Sequence, residues 1–223
     1  MASLKPLRVL LTVFPDMDTL DLVGPLELLS HATYPSTGSK AFETTLTAVA
    51  EHTITNQGLL IKRHIDISKA YATLADYDIL IVPGGGSPGV LRGNTEPIHI
   101  TKAFAALPRR GGRERILMSV CTGSLFLAEA GVLVGTTATT HPGYYDELRK
   151  ICGSKGETKV MENRFVVNPV EKERGLRVIT AGGVSSGMDA TLWLIEQIVG
   201  KETREHVCWI VQYMERLGEG AVL

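Results

Sequence analysis

Cysteine is scarce in this chain, with three residues among 223. An odd number of cysteines does not make a disulfide framework, so we expect reduced thiols in a cytoplasmic compartment. Long apolar runs are also missing. No stretch reaches the roughly 20 residues that a membrane-spanning helix needs, and the apolar run at the start is too short for a signal peptide. The sequence therefore predicts no membrane as a partner.

A surplus of either charge is missing as well. The chain has 23 basic and 24 acidic residues, which argues against a broad surface for nucleic acid or anionic membranes. No grouping of histidine, cysteine and acidic residues has the spacing of metal ligands, and no glycine-rich loop continues into the Gly-Lys-Ser/Thr of a phosphate loop. We therefore predict neither a metal site nor a nucleic-acid partner.

What the sequence does contain is a series of short runs rich in Val, Ile and Leu. Such runs are typical of strands buried on both faces, as in a parallel sheet, and helical patterns lie between them. The composition, 44% hydrophobic and 21% charged, suits an ordinary globular core. Together these features predict one α/β domain over residues 1–223 with a doubly wound sheet. The predicted strands are residues 8–14, 42–49, 77–83, 115–120 and 176–181.

Several boundaries of this fold can be predicted. Pro25 is tolerated in the first turn of a helix, which places a helix start just before it. Ser186 and Asp189 have the spacing of a capping box. A last helix over about residues 202–217 carries an apolar stripe, which we expect to pack on its own domain rather than on a second subunit. Residues 158–169 predict a hairpin appended to the sheet.

Cys121 stands in "SVCTG", where a predicted strand gives way to a helix. The small residues Ser119 and Gly123 allow the sharp turn of a nucleophile elbow, although Ser119 replaces the usual first glycine. A helix N-terminus favours a thiolate and can stabilise an anion that forms on a substrate. A buried structural cysteine is the alternative, and Cys152 and Cys208, which lack such a turn, are interpreted as structural. We therefore predict a reactive cysteine at position 121.

Three further features follow predicted strands. The glycine-rich loop at residues 82–89, "VPGGGSPG", either brings its backbone close to a ligand or is a flexible surface turn. Asp21 either reaches Cys121 as an acid or base, because parallel strands end at one edge of a sheet, or caps the helix at Pro25. His141 in "ATTHPGYY" is either a base or orienting group for the cysteine or a turn residue.

Four segments taken together resemble the ThiJ/PfpI superfamily, whose fold is like that of class I glutamine amidotransferases. They are "LDLVGPLELLS", "IVPGGG", "SVCTGSLFLAEAGVLVGTTATTHP" and "ITAGGVSSGMDATLWLIE", and they extend from Leu20 to about Val199. The most similar branch contains isonitrile hydratases and the ligand-binding domains of certain AraC-type regulators. The resemblance implies a flavodoxin-like three-layer sandwich with a mostly parallel central sheet, usually as a homodimer.

The resemblance also implies roles for individual residues. Cys121 would be the nucleophile at the elbow, and Asp21 would be the carboxylate that is hydrogen-bonded to its sulfur. The backbone N–H groups of Thr122 and Gly85 would form an oxyanion pocket that binds the substrate. His141 would lie near the site, with a catalytic part that varies across the superfamily.

This chain departs from parts of the superfamily. The intracellular-peptidase branch carries histidine directly after the cysteine, where this chain has Thr122, and the deglycase and glyoxalase branch generally has glutamate where Asp21 stands. Gly86 replaces the polar residue that commonly follows two glycines, which would widen the pocket or remove a hydrogen bond to the substrate. The first departure counts against a Cys-His peptidase, and the second makes deglycase or glyoxalase activity less favoured.

The leading prediction is therefore a cysteine-dependent enzyme that hydrates a small isonitrile to an N-substituted formamide without a cofactor. A Cys121 thioimidate would be the intermediate, with Asp21 as acid and base. One alternative is a glyoxalase, deglycase or secondary-metabolism enzyme on the same scaffold. Others are a redox-sensing stress protein in which Cys121 is oxidised, and an AraC-type sensory domain that would take its DNA-binding helices from elsewhere.

Overall fold

The computed structural model describes residues 5–109 and 112–223. The prediction of one domain over residues 1–223 also covers residues 1–4 and 110–111, which lie outside the described ranges. The strands are β1 (Leu7–Thr12), β2 (Phe42–Ala48), β3 (His52–Ile54), β4 (Leu60–Lys62), β5 (Ile65–Asp66), β6 (Ile79–Val82), β7 (Arg115–Ser119), β8 (Thr137–Ala138), β9 (Lys159–Val160), β10 (Phe165–Val167), β11 (Leu176–Ala181) and β12 (Ala221–Val222). The helices are α1 (Thr19–His31), α2 (Ile67–Ala72), α3 (Ser87–Gly93), α4 (Ile98–Ala105), α5 (Gly123–Glu129), α6 (Tyr145–Lys155), α7 (Ser186–Val199) and α8 (Lys201–Val211).

Eight strands form the central sheet, in the order β12-β10-β11-β7-β6-β1-β2-β5. Neighbouring strands of this sheet are parallel, apart from the antiparallel pair β10–β11. The central strands β6 and β7 are buried along their whole length, as expected for apolar runs covered on both faces. One group of helices, α1, α7 and α8, and a second group, α3 to α6, flank the sheet. The predicted α/β sandwich with a mostly parallel sheet is confirmed.

The direction of the strands determines where a site can form. Strands β1, β6, β7 and β11 are neighbours and run the same way, so the loops that follow them lie at one edge of the sheet. These loops are distant in sequence and carry residues 13–18, 83–86, 120–122 and 182–185. Their convergence at one edge is what makes a composite site possible.

The hairpin predicted for residues 158–169 is not formed. Strand β9 pairs in parallel with β8 in a separate two-stranded sheet, whereas β10 joins the central sheet between β11 and β12. The reason is apolar burial, because all three residues of β10 are fully buried while β9 is partly exposed. A hairpin does occur elsewhere, between β3 and β4.

Helix α1 begins earlier than the position of Pro25 indicates. Asp18 is its N-cap, and the Asp18 carboxylate accepts a hydrogen bond from the Leu20 N–H at 3.1 Å. Pro25 therefore lies inside the helix, and Asp21 lies in its first turn with a fully buried side chain. The interpretation of Asp21 as the cap of this helix is wrong, because Asp18 already fills that place.

Two other details of the helices differ from the prediction. The capping box of Ser186 and Asp189 is not formed, because the Asp189 carboxylate binds Arg164 instead. Helix α8 ends at Val211 rather than near residue 217, since Gln212 has left-handed backbone angles that stop the helix. Of the predicted apolar stripe, Val207 is buried, Val211 is half-buried, and Ile210 and Met214 are exposed.

Within the ranges that the structure describes, no helix combines the length and apolar character that crossing a bilayer requires.

Candidate active site

Cys121 lies in a sharp turn between β7 and α5, at the carboxyl edge of the sheet. Its φ of 54° is in the left-handed region, which costs a side-chain-bearing residue about 1–3 kcal/mol. The surrounding contacts hold this conformation. The Cys121 N–H donates to the Gly182 carbonyl at 2.8 Å, and the hydroxyls of Thr140 and Ser124 donate to the Cys121 carbonyl at 3.1 and 3.2 Å. The backbone therefore has the geometry of the predicted nucleophile elbow.

Gly123 is the small residue that the elbow requires. A Cβ at this position would lie 2.4 Å from the Val82 carbonyl oxygen, so the backbone of the elbow would have to shift. We predict that Gly123→Ala lowers the free energy of unfolding by about 1–3 kcal/mol, in the range of other overpacking substitutions. Thermal or denaturant unfolding measures this change.

The matched control is Gly153→Ala in the exposed part of α6. No heavy atom lies within 4 Å of a Cβ built there, and the backbone is helical, so alanine should raise stability by about 0.5–1 kcal/mol. Equal effects of the two substitutions would contradict the steric account of Gly123.

Asp21 is a fully buried carboxyl group beside the Cys121 thiol. Its Oδ2 accepts a hydrogen bond from the Gly84 N–H at 2.9 Å, whereas Oδ1 has no hydrogen-bond partner among the described residues. Burial raises the pKa of Asp21 from 3.8 to about 8, and the Gly84 N–H and the Cys121 thiol only partly offset this rise. Asp21 is therefore mainly a neutral acid at pH 7, beside the thiol with which it can exchange a proton.

Cys121 is a buried residue, with only 7% of its surface exposed. Burial, and then the nearby Asp21 carboxyl, raise the pKa of Cys121 to about 12. The backbone N–H groups of Thr122 and Val184 face the sulfur and lower this pKa, but they do not outweigh burial. The expected ready-made thiolate is therefore absent at rest, and the resting pair is a thiol next to a carboxylic acid.

The glycine loop after β6 contacts both the segment that carries Asp21 and the segment that carries Cys121. The Gly84 carbonyl accepts from the Asp18 N–H at 2.9 Å, while the Gly85 N–H donates to the Thr122 hydroxyl at 2.9 Å. The loop is therefore held against its neighbours in the chain, and its close approach to a ligand stays a prediction. Gly86 follows with a φ of 56°, and a Cβ there would lie 2.8 Å from the Pro15 carbonyl oxygen.

These contacts change the expected oxyanion pocket. The Gly85 N–H was expected to face the substrate, but it is donated to Thr122 instead. The second N–H group at the sulfur belongs to Val184, in the loop after β11, which sequence reasoning missed. The sequence signal that could have found it is "AGGVSS", a glycine pair directly after a buried strand at the same edge of the sheet.

His141 lies beside this loop without joining the pair. Its Nδ1 accepts a hydrogen bond from the Gly143 N–H at 3.1 Å, and a Cβ built on Gly183 would lie 2.9 Å from its ring. Among the described residues, His141 makes no hydrogen bond to Cys121 or Asp21. Since Nδ1 acts as an acceptor, the proton of the neutral ring belongs on Nε2.

A groove of about 520 Å³ opens between α3, α5 and the start of α6. Each wall of the groove is continuous in sequence with a residue of the site, because α3 follows Gly86, α5 follows Thr122, and the third wall follows His141. Apolar and charged side chains both contribute to it. The lining residues are Ser87, Pro88, Leu91, Arg92, Leu125, Gly143, Tyr144, Asp146 and Glu147.

In residues 5–109 and 112–223, no group of three or more His, Cys, Asp or Glu side chains is arranged to hold a metal ion.

Comparison with known proteins adds to this geometry. The model of the DJ-1/PfpI family matches residues 7–197. The chain is 29% identical over 207 residues to the isonitrile hydratase of Pseudomonas putida. The aligned region covers 93% of this chain and 78% of that protein. It is 34% identical over 149 residues to a Streptomyces lividans protein, covering 67% of this chain and 97% of that one. A ThiJ/PfpI family protein from Pseudomonas syringae has a similar structure, with a TM-score of 0.73 at 23% identity over 95% of this chain and 77% of that chain.

Proposed function

Because the chain belongs to the DJ-1/PfpI family, we propose that it is a cysteine-dependent hydratase that converts a small isonitrile to the N-substituted formamide. The family includes an isonitrile hydratase and deglycases. The observation that carries the proposal is the buried Cys121 thiol beside the buried Asp21 carboxyl group, whose Oδ1 is unpartnered among the described residues.

This pair matches what an isonitrile requires. The terminal carbon of an isonitrile must gain both a proton and a nucleophile on the same atom. In the first step the Asp21 carboxylic acid gives its proton to that carbon, the sulfur of Cys121 forms the C–S bond, and the thiol proton passes to Asp21. The product is a thioimidate, and no charge remains separated in the buried site.

The second step consumes water. Water adds to the thioimidate carbon, the nitrogen gains a proton, and the C–S bond breaks as the sulfur takes a proton back through Asp21. The N-substituted formamide leaves, and the thiol and the carboxylic acid are restored. The N–H groups of Thr122 and Val184 stabilise negative charge on the sulfur as it departs. This role differs from the one expected of Thr122 and Gly85, which was an oxyanion pocket for the substrate.

The surroundings of the pair supply binding. The groove between α3 and the start of α6 would hold the substituent on the isonitrile nitrogen. His141, with a proton on Nε2, would lie at the entrance and bind substrate or water. We further propose a cytoplasmic homodimer, in keeping with the unpaired cysteines and the family resemblance.

The redox-sensor alternative is less compatible with this site. Oxidation by peroxide requires the thiolate, and the raised pKa of Cys121 keeps the sulfur protonated at neutral pH. Addition to an isonitrile does not need a preformed thiolate in this account, because Asp21 protonates the isonitrile carbon and the thiol proton leaves as the C–S bond forms.

The proposal predicts a pH dependence. Asp21 is the proton donor and its acid form exists below its pKa of about 8, so kcat/KM for formamide production should be steady near pH 7 and fall as the pH rises above 8. A chromatographic assay of formamide production between pH 6 and 9.5 measures this pH dependence. Methylglyoxal is assayed alongside as a representative of the alternative substrate class.

Two outcomes would overturn the proposal. One is turnover of methylglyoxal without turnover of any isonitrile, which would favour the glyoxalase or deglycase alternative. The other is a rate that keeps rising through pH 9, which is the behaviour of a simple thiolate without an acid partner.

A further inference from the structure

The loop of residues 182–185 determines where the Val184 N–H lies relative to the sulfur. It joins β11 to α7, and its first carbonyl, that of Gly182, accepts the Cys121 N–H at 2.8 Å. Two of its four residues are glycines, so the loop has few side chains of its own with which to pack. Its conformation must therefore be fixed by contacts from outside.

Arg164 supplies contacts at both ends of this loop. Its backbone carbonyl accepts from the Gly182 N–H at 2.9 Å, and its guanidinium Nη2 donates to the Ser185 hydroxyl at 2.9 Å. Val184 lies between these two anchor points. The same guanidinium binds the Asp189 carboxylate through Nε. One arginine thus connects the loop to the first turn of α7.

The segment after α8 completes this network. The Tyr213 hydroxyl donates to Asp189 Oδ2 at 3.0 Å and accepts from Arg164 Nη2 at 3.2 Å. The Arg216 N–H donates to Asp189 Oδ1 at 2.8 Å, and the Arg164 N–H donates to the Glu219 carbonyl at 3.0 Å. Asp189 is fully buried, so these bonds satisfy a carboxylate that would otherwise be costly.

We propose that Arg164 is a positioning residue that holds the Val184 N–H against the sulfur of Cys121 by clamping both ends of the loop at residues 182–185. The ion pair with Asp189 would be satisfied without the bond to Ser185. That second bond reaches the loop itself, next to the residue whose N–H faces the sulfur. Without it the loop is anchored at Gly182 alone, and the N–H moves away from the charge it stabilises.

The test is alkylation of Cys121 by iodoacetamide, read by peptide mass so that the other two cysteines do not contribute. Ser185→Ala removes the acceptor and leaves the ion pair of Arg164 with Asp189 intact. Arg164→Lys keeps a charge for Asp189 but lacks the planar fork that also reaches Ser185. We expect both variants to react about 3- to 10-fold more slowly at each pH from 7 to 10, because a lost hydrogen bond to the thiolate raises the thiol pKa. The unfolding temperature of Ser185→Ala should stay close to that of the unmodified protein.

The matched control is Arg177→Lys on β11. Arg177 also forms a fork, to Glu114 and to the Asn168 carbonyl, but it lies away from the loop at residues 182–185, and its substitution should leave alkylation unchanged. Two acidic residues, Asp21 and Asp18, also raise the pKa of Cys121. Both are unchanged in all three variants.

Alkylation of Ser185→Ala at the unmodified rate across the pH range would overturn the proposal, and this variant decides the matter if Arg164→Lys does not fold. The inference rests on Cys121 as the nucleophile of the proposed function and not on its substrate. Because alkylation uses no isonitrile, a failure of isonitrile turnover would leave this result interpretable on its own.

Discussion

Replacing Cys121 with alanine is expected to abolish formamide production, with kcat/KM falling by about 10³-fold or more. The sulfur forms the bond that activates the isonitrile carbon, and neither the N–H groups nor Asp21 can form that bond. Cys121→Ser should lose nearly as much activity, because a hydroxyl beside a neutral acid is a far weaker nucleophile. Formamide assays at saturating and at low isonitrile concentration, together with mass spectrometry of the trapped adduct, measure both effects.

The matched control is Cys208→Ala on α8. Cys208 is half-buried beside Arg204 and Glu215, at a position outside the elbow, and its substitution should leave turnover within about twofold. If Cys121→Ala kept more than a tenth of the activity, the covalent mechanism would be wrong, and the site would have to act by binding and acid catalysis alone.

Asp21→Asn should have opposite effects on turnover and on thiol reactivity. Asparagine cannot give the proton that the isonitrile carbon needs, so kcat/KM should fall by about 10²- to 10⁴-fold, the usual contribution of a general acid or base. Alkylation of Cys121 above pH 8 should become faster, because the neighbouring carboxylate that raises the pKa of the thiol is gone. Formamide assays and iodoacetamide kinetics on the same preparation measure the two effects.

The same substitution should raise stability at alkaline pH. The folded protein holds the Asp21 proton up to about pH 8, whereas the unfolded chain releases it near pH 3.8, so the folded state binds more protons between these values. The free energy of unfolding therefore falls as pH rises across this window and is level above it. The free energy of unfolding of Asp21→Asn does not fall in this way, because asparagine does not ionise. The variant should therefore be more stable than the unmodified protein at pH 8, by an amount on the order of a few kcal/mol, and the difference should vanish near pH 4.

The control for both measurements is Glu27→Gln on the same helix. Glu27 is exposed and pairs with His31, so its substitution should change stability by less than about 0.5 kcal/mol at any pH and leave Cys121 unaffected. Equal pH dependence of stability in Asp21→Asn and the unmodified protein would contradict the raised pKa of Asp21.

The fold could be predicted from the sequence where burial alone decides the structure. The strands β1, β6, β7 and β11 are apolar runs whose position is set by the hydrophobic effect. The rule that parallel strands end at one edge then put Asp21 in reach of Cys121. Strand β10 was misassigned because its pairing depends on which neighbour offers a buried edge, and a short apolar segment does not specify that neighbour.

The details of the site depend on contacts between residues that are distant in sequence, which no short stretch of sequence specifies. Whether Asp18 or Asp21 caps α1 depends on where the helix begins, and both residues suit the position. The Val184 N–H is a backbone group, so only the glycine pair before it, and not its own residue type, marks the loop. The bond from the Gly85 N–H to Thr122 depends on the distance between two loops that are 37 residues apart. The raised pKa values follow from complete burial, which periodicity does not measure.

The groove and the reacting pair are made by different parts of the chain. Asp21 and Cys121 belong to the first turn of α1 and to the elbow, whereas the groove is formed by residues 87–92 and 143–147 apart from Leu125 on α5, and these two stretches contribute neither reacting group. Mutations along those two stretches can therefore alter which molecules are accepted while leaving the acid and the thiol untouched. A scaffold divided in this way can diversify its substrates over evolutionary time without rebuilding its chemistry.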